Sequence, residues 1–128
     1  MIIGSISENI NVEKRVAITP DIVKKYKSLG LEVHLVKNYA SHLGLHDAQY
    51  ISEGAKILNT EDEVISSANA ILQMNILDDH NLTKLKEKQI LIGVLNPYLN
   101  QKKLKEVSSK NINCFSLELL PRITRAQS

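Results

Sequence analysis

A chain of 128 residues with 43% hydrophobic and 23% charged residues has the size and composition of one globular domain with its own core. Its 16 Lys and Arg against 14 Asp and Glu give a formal charge of +2, which is too balanced to favour a nucleic-acid partner, and 4% aromatic residues argue against base-stacking surfaces. No apolar run approaches the roughly 20 residues that span a bilayer, and no basic stretch precedes an apolar one at the start. We therefore expect a cytoplasmic protein that reaches a membrane only through other subunits.

The first third of the chain predicts a strand, a helix and a second strand. Apolar residues at 2–6 mark the first strand, and those at 33–36 mark the second. A helix is expected at 20–29, because Thr19 is a good N-cap, proline suits the first helical position and Gly30 supplies a left-handed stop. A strand–helix–strand unit of this length normally joins two parallel neighbours.

Strands and helices continue to alternate along the rest of the chain. Asp47 is expected to cap a short helix that ends at Gly54, and Thr60 and Glu63 have the spacing of a capping box ahead of another helix. The remaining predicted elements are strands at 55–58, 70–74, 90–95 and 113–120, a short helix around Leu82 and Leu85, and a helix at about 100–110.

This alternation predicts an α/β fold of three layers, in which helices flank a mixed, mostly parallel sheet. No repeat, low-complexity segment or linker divides the chain, so residues 1–128 are expected to form a single domain. Only five glycines occur, and none of them builds the GxGxxG spacing that lets a pyrophosphate sit on a helix N-terminus. The chain therefore lacks a dinucleotide fingerprint of its own.

Three other groups of residues carry weak functional signals. The single cysteine, Cys114, is expected to be a buried small side chain in a strand. His42 and His46 have the spacing of a helical metal pair, but the intervening Gly44 and the lack of a third ligand favour a solvent-exposed loop. The acidic pair at 78–79 is expected to favour the start of a helix rather than to act as a catalytic dyad. No metal site is predicted.

The most function-like stretch is the C-terminal run LELLPRITRAQS, residues 117–128. Phe115 and the leucines of this run suggest a strand that emerges from the core, and Pro121 ends its hydrogen-bonded ladder. Arg122, Arg125 and Gln127 follow, in a loop leaving the end of a strand, which is where α/β folds carry ligand-binding groups.

Together with EKRVAITP at 13–20, this run resembles the alpha subunit, the NAD(H)-binding domain, of the proton-translocating NAD(P) transhydrogenases, which share a fold with alanine dehydrogenase. The PRITRAQS string is typical of the transhydrogenase branch, whereas RVAITP is shared with alanine dehydrogenases. The resemblance covers the whole chain but well under half of such a domain. It implies a fragment of a longer chain: the N-terminal lobe of that fold, without the inserted Rossmann domain.

The resemblance implies a Re/Si-specific enzyme that transfers hydride between NADH and NADP+ while protons cross the inner membrane through other subunits. NAD(H) would be the cofactor of this subunit, NADP(H) would be bound by a partner domain, and no flavin or metal would be needed. The complete protein would be a cytoplasmic homodimer, peripheral to the membrane through its partner subunits. The isolated chain would be inactive, and it would contribute contacts to the nicotinamide end of the nucleotide.

The resemblance also assigns cofactor-binding residues but no catalytic residue. Gln127 would fix the nicotinamide, since an amide can donate and accept at once. Arg122 would hold a ribose or carboxamide oxygen or position the loop, and Arg125 would bind the cofactor or point toward a partner domain. The matched loop that lines the nicotinamide ribose is completed by Ile123, Thr124 and Ser128.

Arg15 matches the arginine that grips the substrate carboxylate in alanine dehydrogenases, and it is a further candidate site residue. Relatives that act on pyruvate place a lysine where this chain has Gln73 and a catalytic histidine near Asn96. Without those two groups the reduction of a keto or iminium group lacks its proton handling, so Arg15 is alternatively a remnant that helps the fold. Two other functions stay open: an alanine dehydrogenase-like amino-acid dehydrogenase, and a stand-alone, non-catalytic regulatory module.

Overall fold

The structure, a computed structural model, describes residues 1–95 and 100–116 and has one six-stranded sheet with helices on both sides. The strands are β1 (Ile2–Ser5), β2 (Glu32–Val36), β3 (Lys56–Leu58), β4 (Ala70–Asn75), β5 (Ile90–Val94) and β6 (Asn113–Ser116). Every strand pair in this part of the chain is parallel, so the antiparallel pairs of a mixed sheet are not found there. The predicted α/β class and three-layer architecture are confirmed.

The helices begin and end close to the predicted positions. They are α1 (Pro20–Ser28), α2 (Asp47–Ser52), α3 (Glu61–Ser67), α4 (Asp79–Leu82) and α5 (Gln101–Ser109), with one 3-10 turn at Ser41–Leu43. Thr19 Oγ accepts the Ile22 N–H and Gly30 has φ +85°, as the cap and stop signals had predicted. The predicted cap at Asp47 is wrong: His46 precedes the helix, and the Asp47 carboxylate accepts the Asn38 N–H at 3.0 Å.

The sheet order is β3-β2-β1-β4-β5-β6, so the chain first builds outward from β1 and then returns to build from its other side. Helix α1 packs on β2 and on α2, whereas α3 packs on β1 and α4. Right-handed crossovers place these two groups of helices on opposite faces of the sheet. The order reverses between β1 and β4, and in open α/β sheets ligands bind outside the carboxyl ends of the strands at such a point.

The core lies on both faces of the inner strands, where Leu35, Ile71 and Leu91 are fully buried. Gly93 of β5 pairs with Gln73 of β4, and a Cβ at this glycine would lie 2.3 Å from the Gln73 carbonyl oxygen. Only glycine therefore allows β5 to approach β4 so closely at this register.

The edge strand β6 departs from two predictions. Phe115 is 56% exposed rather than part of the core, because β6 pairs only with β5 within the described residues and α5 packs against it. Cys114 is half-buried rather than fully buried, and burial raises the pKa of its thiol. The predicted continuation of this strand to residue 120 lies outside the described residues.

Candidate functional site

A cavity of about 600 Å³ opens at the carboxyl ends of β1 and β4, where the strand order reverses. We call it the switch-point cavity. Its walls come from the segment after β1, from the end of β4 and from the first residues of the helices on one face. The lining residues are Ile6, Ser7, Glu8, Asn9, Val12, Glu61, Gln73, Asn75, Ile76, Leu77, Asp78, Asn81 and Lys103.

The backbone ladder between β1 and β4 is short and ends before the cavity. Only Ile3 and Gly4 of β1 pair with β4, and β4 itself carries an irregularity between Gln73 and Asn75 in its pairing with β5. Beyond Gly4 the two strands are joined by side chains instead of by backbone pairs. The geometry of the cavity floor therefore depends on those side chains.

Gln73 makes the central connection between the two strands. Its Oε1 accepts the Ile6 N–H at 2.7 Å, and its Nε2 donates to the Ile6 carbonyl at 3.1 Å. These two backbone partners fix the orientation of the amide, since an N–H needs the oxygen and a carbonyl needs the nitrogen. The residue is only 2% exposed, so it acts as a buried clamp for the backbone of Ile6.

Glu8 continues this network along β4. Its Oε2 accepts Gln73 Nε2 at 2.9 Å and the Met74 N–H at 2.7 Å, while Oε1 lies 3.3 Å from the Asn75 nitrogen. The carboxyl group thus occupies the place of a strand partner for the irregular end of β4. Burial raises its pKa most strongly, whereas the backbone N–H groups of Met74 and Asn75 act in the opposite direction.

A second chain of hydrogen bonds supports β1 from behind the cavity. Tyr39 Oη accepts the Ile18 N–H at 3.2 Å and lies 2.8 Å from Ser5 Oγ, which in turn lies 2.6 Å from the Leu72 carbonyl. Each hydroxyl has one proton, so the order is Ile18 to Tyr39 to Ser5 to Leu72. Burial raises the pKa of Tyr39 well above its usual range, which keeps the phenol protonated for this role.

Tyr50 completes the support by holding the same backbone segment. Its hydroxyl donates to the Ile18 carbonyl at 2.8 Å, and its ring meets that of Tyr39 edge to face with centroids 5.7 Å apart. Burial raises the pKa of Tyr50 to about 12. Both polar backbone groups of Ile18 are therefore satisfied inside the core, which fixes the start of α1 relative to the cavity.

The predicted site residues are only partly within the described structure. The Arg15 side chain is 73% exposed and forms a fork with Glu13, with Nε–O and Nη2–O distances of 2.9 and 2.8 Å. This pairing lowers the pKa of Glu13 to about 2. Arg15 does not line the switch-point cavity. The loop candidates Arg122, Ile123, Thr124, Arg125, Gln127 and Ser128, and the catalytic-histidine position at Asn96, lie outside the described residues.

The sequence patterns predicted no role for Glu8, Ser5 or Tyr39. One signal was present for Glu8, because a carboxylate shortly after a buried parallel strand stands at the edge where such sheets bind ligands. The expectation of exposed loop histidines at 42 and 46 is confirmed. Across residues 1–95 and 100–116, no three His, Cys, Asp or Glu side chains are grouped to hold a metal, and no helix there could cross a membrane.

The switch-point cavity carries more acidic than basic groups among the residues that the structure describes. Glu8, Glu61 and Asp78 face Lys103, whose Nζ lies 3.3 Å from Asp79 outside the cavity lining. Three side-chain amides, of Asn9, Asn75 and Asn81, add donors and acceptors. Such a lining suits a polar or positively charged group and disfavours a phosphate.

The sequence profile described as "Alanine dehydrogenase/PNT, N-terminal domain" matches residues 4–128. The first of the separate chains that form NAD(P) transhydrogenase subunit alpha in Rickettsia prowazekii is 34% identical over 100% of this chain and 34% of its own length. Alanine dehydrogenase from Methanococcus maripaludis is 30% identical over 98% of this chain and 34% of its own length. The solved transhydrogenase from Sinorhizobium meliloti has a TM-score of 0.89 at 28% identity, covering 99% of this chain and 38% of that chain. The chain thus spans about a third of the length of these proteins.

Replacing Gln73 by leucine is expected to destabilise the fold by about 3 kcal/mol, because both backbone groups of Ile6 would lose a buried partner at about 1–3 kcal/mol each. Gln101→Leu on the exposed surface of α5 is the matched control and should change stability by less than about 0.5 kcal/mol. Urea unfolding followed by circular dichroism measures both. Equal stability of the two variants would show that the amide clamp contributes nothing.

Glu8 should make the protein less stable as the pH rises. Its raised pKa means that the folded state holds the proton more tightly than the unfolded chain, so stability is lost as the pH rises from about 4.5 through the raised value. The variant Glu8→Gln lacks this titration and should gain stability relative to wild type as the pH rises from 4.5 to about 8. Urea midpoints across that range test the sign, and a variant that loses stability relative to wild type with rising pH would contradict it.

Proposed function

Because this chain belongs to the alanine dehydrogenase/PNT N-terminal domain family, we propose that it is the N-terminal part of the alpha subunit of a proton-translocating NAD(P) transhydrogenase. The complete protein would transfer hydride from NADH to NADP+ with Re/Si specificity. The observation that carries this proposal is the match to a transhydrogenase alpha subunit over the entire chain, supported by the fold of a solved transhydrogenase.

The switch-point cavity is the candidate site for the nicotinamide end of NAD(H). Its volume of about 600 Å³ falls within the range of small-molecule sites, roughly 300–1,000 Å³, and its amides and carboxylates suit a carboxamide and ribose hydroxyls. Its acidic lining and the absence of a GxGxxG string from the sequence disfavour the pyrophosphate. The residues present therefore fit one end of the cofactor, and the other end would be bound by the rest of the protein.

Bound nicotinamide would supply the hydride chemistry, and the protein would supply alignment and exclusion of water. Gln73 and Glu8 would hold the wall of the site rigid, because they join the end of β1 to the end of β4. The segment after β6 begins at the same carboxyl edge of the sheet, since β6 is parallel to its neighbour. Arg122, Ile123, Thr124, Gln127 and Ser128 would bind the nicotinamide ribose from there, and Arg125 would bind it or face a partner domain.

The partners that complete the enzyme belong to the same proposal. Membrane subunits would carry the protons, and a separate domain would bind NADP(H). The alpha subunit would then lie on the cytoplasmic side, peripheral to the inner membrane, and would form a homodimer. This arrangement is supported by the kinship with a transhydrogenase subunit, which is by its name one component of a larger assembly.

Alanine dehydrogenase is the second candidate, and the relative from Methanococcus maripaludis favours it. The position at which pyruvate-acting relatives carry a lysine is occupied here by Gln73, whose amide is used by Ile6 and Glu8. Arg15, the counterpart of the carboxylate-binding arginine, is paired with Glu13. Both observations favour a structural use of the positions that bind the substrate in alanine dehydrogenases.

Deuterium transfer separates the two candidates. The complete protein, assembled with its membrane and NADP(H)-binding subunits, is incubated with NADP+ and with NADH deuterated at the nicotinamide C4, and NADPH is analysed by mass spectrometry. We expect deuterium in NADPH and no reduction of NAD+ by L-alanine. Reduction of NAD+ by L-alanine without deuterium transfer would establish the amino-acid dehydrogenase instead.

Gln127→Asn in the complete protein is expected to lower the rate of hydride transfer by about 10- to 100-fold, because shortening the amide by one methylene misplaces the ring by about 1 Å. The dissociation constant of NADH should change much less, since most binding contacts remain. Gln101→Asn on α5 is the matched control and should change neither value. Unchanged turnover in Gln127→Asn would refute the positioning role.

A further inference from the structure

Glu8 differs from the other charged groups that line the switch-point cavity. It is 8% exposed, whereas Asp78 is exposed and Glu61 and Lys103 are half-buried. Solvent screens an exposed charge much more than a buried one. The electric field inside the cavity is therefore set mainly by the Glu8 carboxyl, among the residues that the structure describes.

The carboxyl group is held in place but has no cation beside it. Oε2 accepts two N–H groups, while Oε1 has one long contact of 3.3 Å with the Asn75 nitrogen and so retains capacity to accept. In the described part of the chain Glu8 forms no ion pair, and the neighbouring Lys103 pairs with Asp79. A buried carboxylate of this kind would be stabilised by a positive charge placed in the cavity.

We propose that Glu8 is a specificity-determining residue whose carboxylate favours the oxidised, positively charged nicotinamide ring over the neutral, reduced ring. This inference rests on the proposed function, which puts that ring in the switch-point cavity. When a hydride, one proton with two electrons, leaves the reduced ring for NADP+, the ring that remains carries one positive charge. A fixed carboxylate therefore stabilises the product side of the transfer without moving.

The charged groups around Glu8 add to this preference. Glu13, on the same loop, acts with burial to raise the pKa of Glu8, and the carboxylates of Glu61 and Asp78 face the same cavity. A cationic ring would offset these effects and draw the proton off Glu8. Binding of NAD+ should consequently strengthen as the pH rises through the titration of Glu8, whereas binding of NADH should change little.

The test is a pair of binding titrations by calorimetry at about pH 8 on the complete parent protein, one with NAD+ and one with NADH. In Glu8→Gln the dissociation constant of NAD+ should rise by about fivefold or more, the effect in water of one charge pair at about 4 Å, and that of NADH by less than about twofold. Glu87→Gln removes the same charge from an exposed site before β5 and should change neither constant.

A purely structural role for Glu8 predicts a different result, because a distorted cavity weakens both forms equally. Equal changes for NAD+ and NADH, or an unchanged ratio, would overturn the proposal. If Glu8→Gln does not fold, the wild-type protein still decides: the NAD+ constant must rise relative to the NADH constant as the pH is lowered from about 8 to about 5, and a flat ratio overturns the proposal. A wild-type protein that binds neither nucleotide would refute the proposed function itself, and this inference with it.

Discussion

The clamp between Gln73 and the backbone of Ile6 is the interaction on which the site depends. The backbone ladder between β1 and β4 ends at Gly4, so without the clamp the chain after β1 would leave the sheet with unpaired backbone groups. With it, the buried amide carries the connection one step further and Glu8 carries it to Met74 and Asn75. A strand end that would otherwise fray becomes a rigid wall of a cavity.

This construction explains why a cavity can exist at the point where the sheet order reverses. Helices that follow β1 and β4 diverge to opposite faces, which leaves the space between the two strand ends uncovered. Satisfied side chains line that space, and in the described part of the chain no buried side-chain polar atom lacks a partner. The cavity is therefore preformed, and its acidic, amide-rich lining limits which end of a dinucleotide it could accept.

Local signals predicted the elements well, and long-range contacts account for what they missed. The cap at Thr19, the stop at Gly30 and the apolar strands each depend on neighbouring residues, so their positions could be derived from the sequence. The backbone partner of the Gln73 amide lies 67 residues away, and no periodicity encodes such a contact. The prediction for Phe115 was wrong for a related reason, because an apolar residue on an edge strand is buried only if another element covers it. The resemblance to transhydrogenases supplied the candidate nucleotide site, which composition and spacing alone did not define.

The central claim is that the switch-point cavity binds the nicotinamide end of NAD(H), and methyl NMR of the complete protein tests it most directly. With isoleucine methyl groups labelled, Ile6 and Ile76 report on the cavity and Ile57 of β3 serves as a distant control. NADH should shift the Ile6 and Ile76 signals and leave Ile57 unchanged, while AMP, which shares only the adenine end, should shift none of the three. Bound NADH that leaves Ile6 and Ile76 unperturbed would contradict the assignment of this cavity.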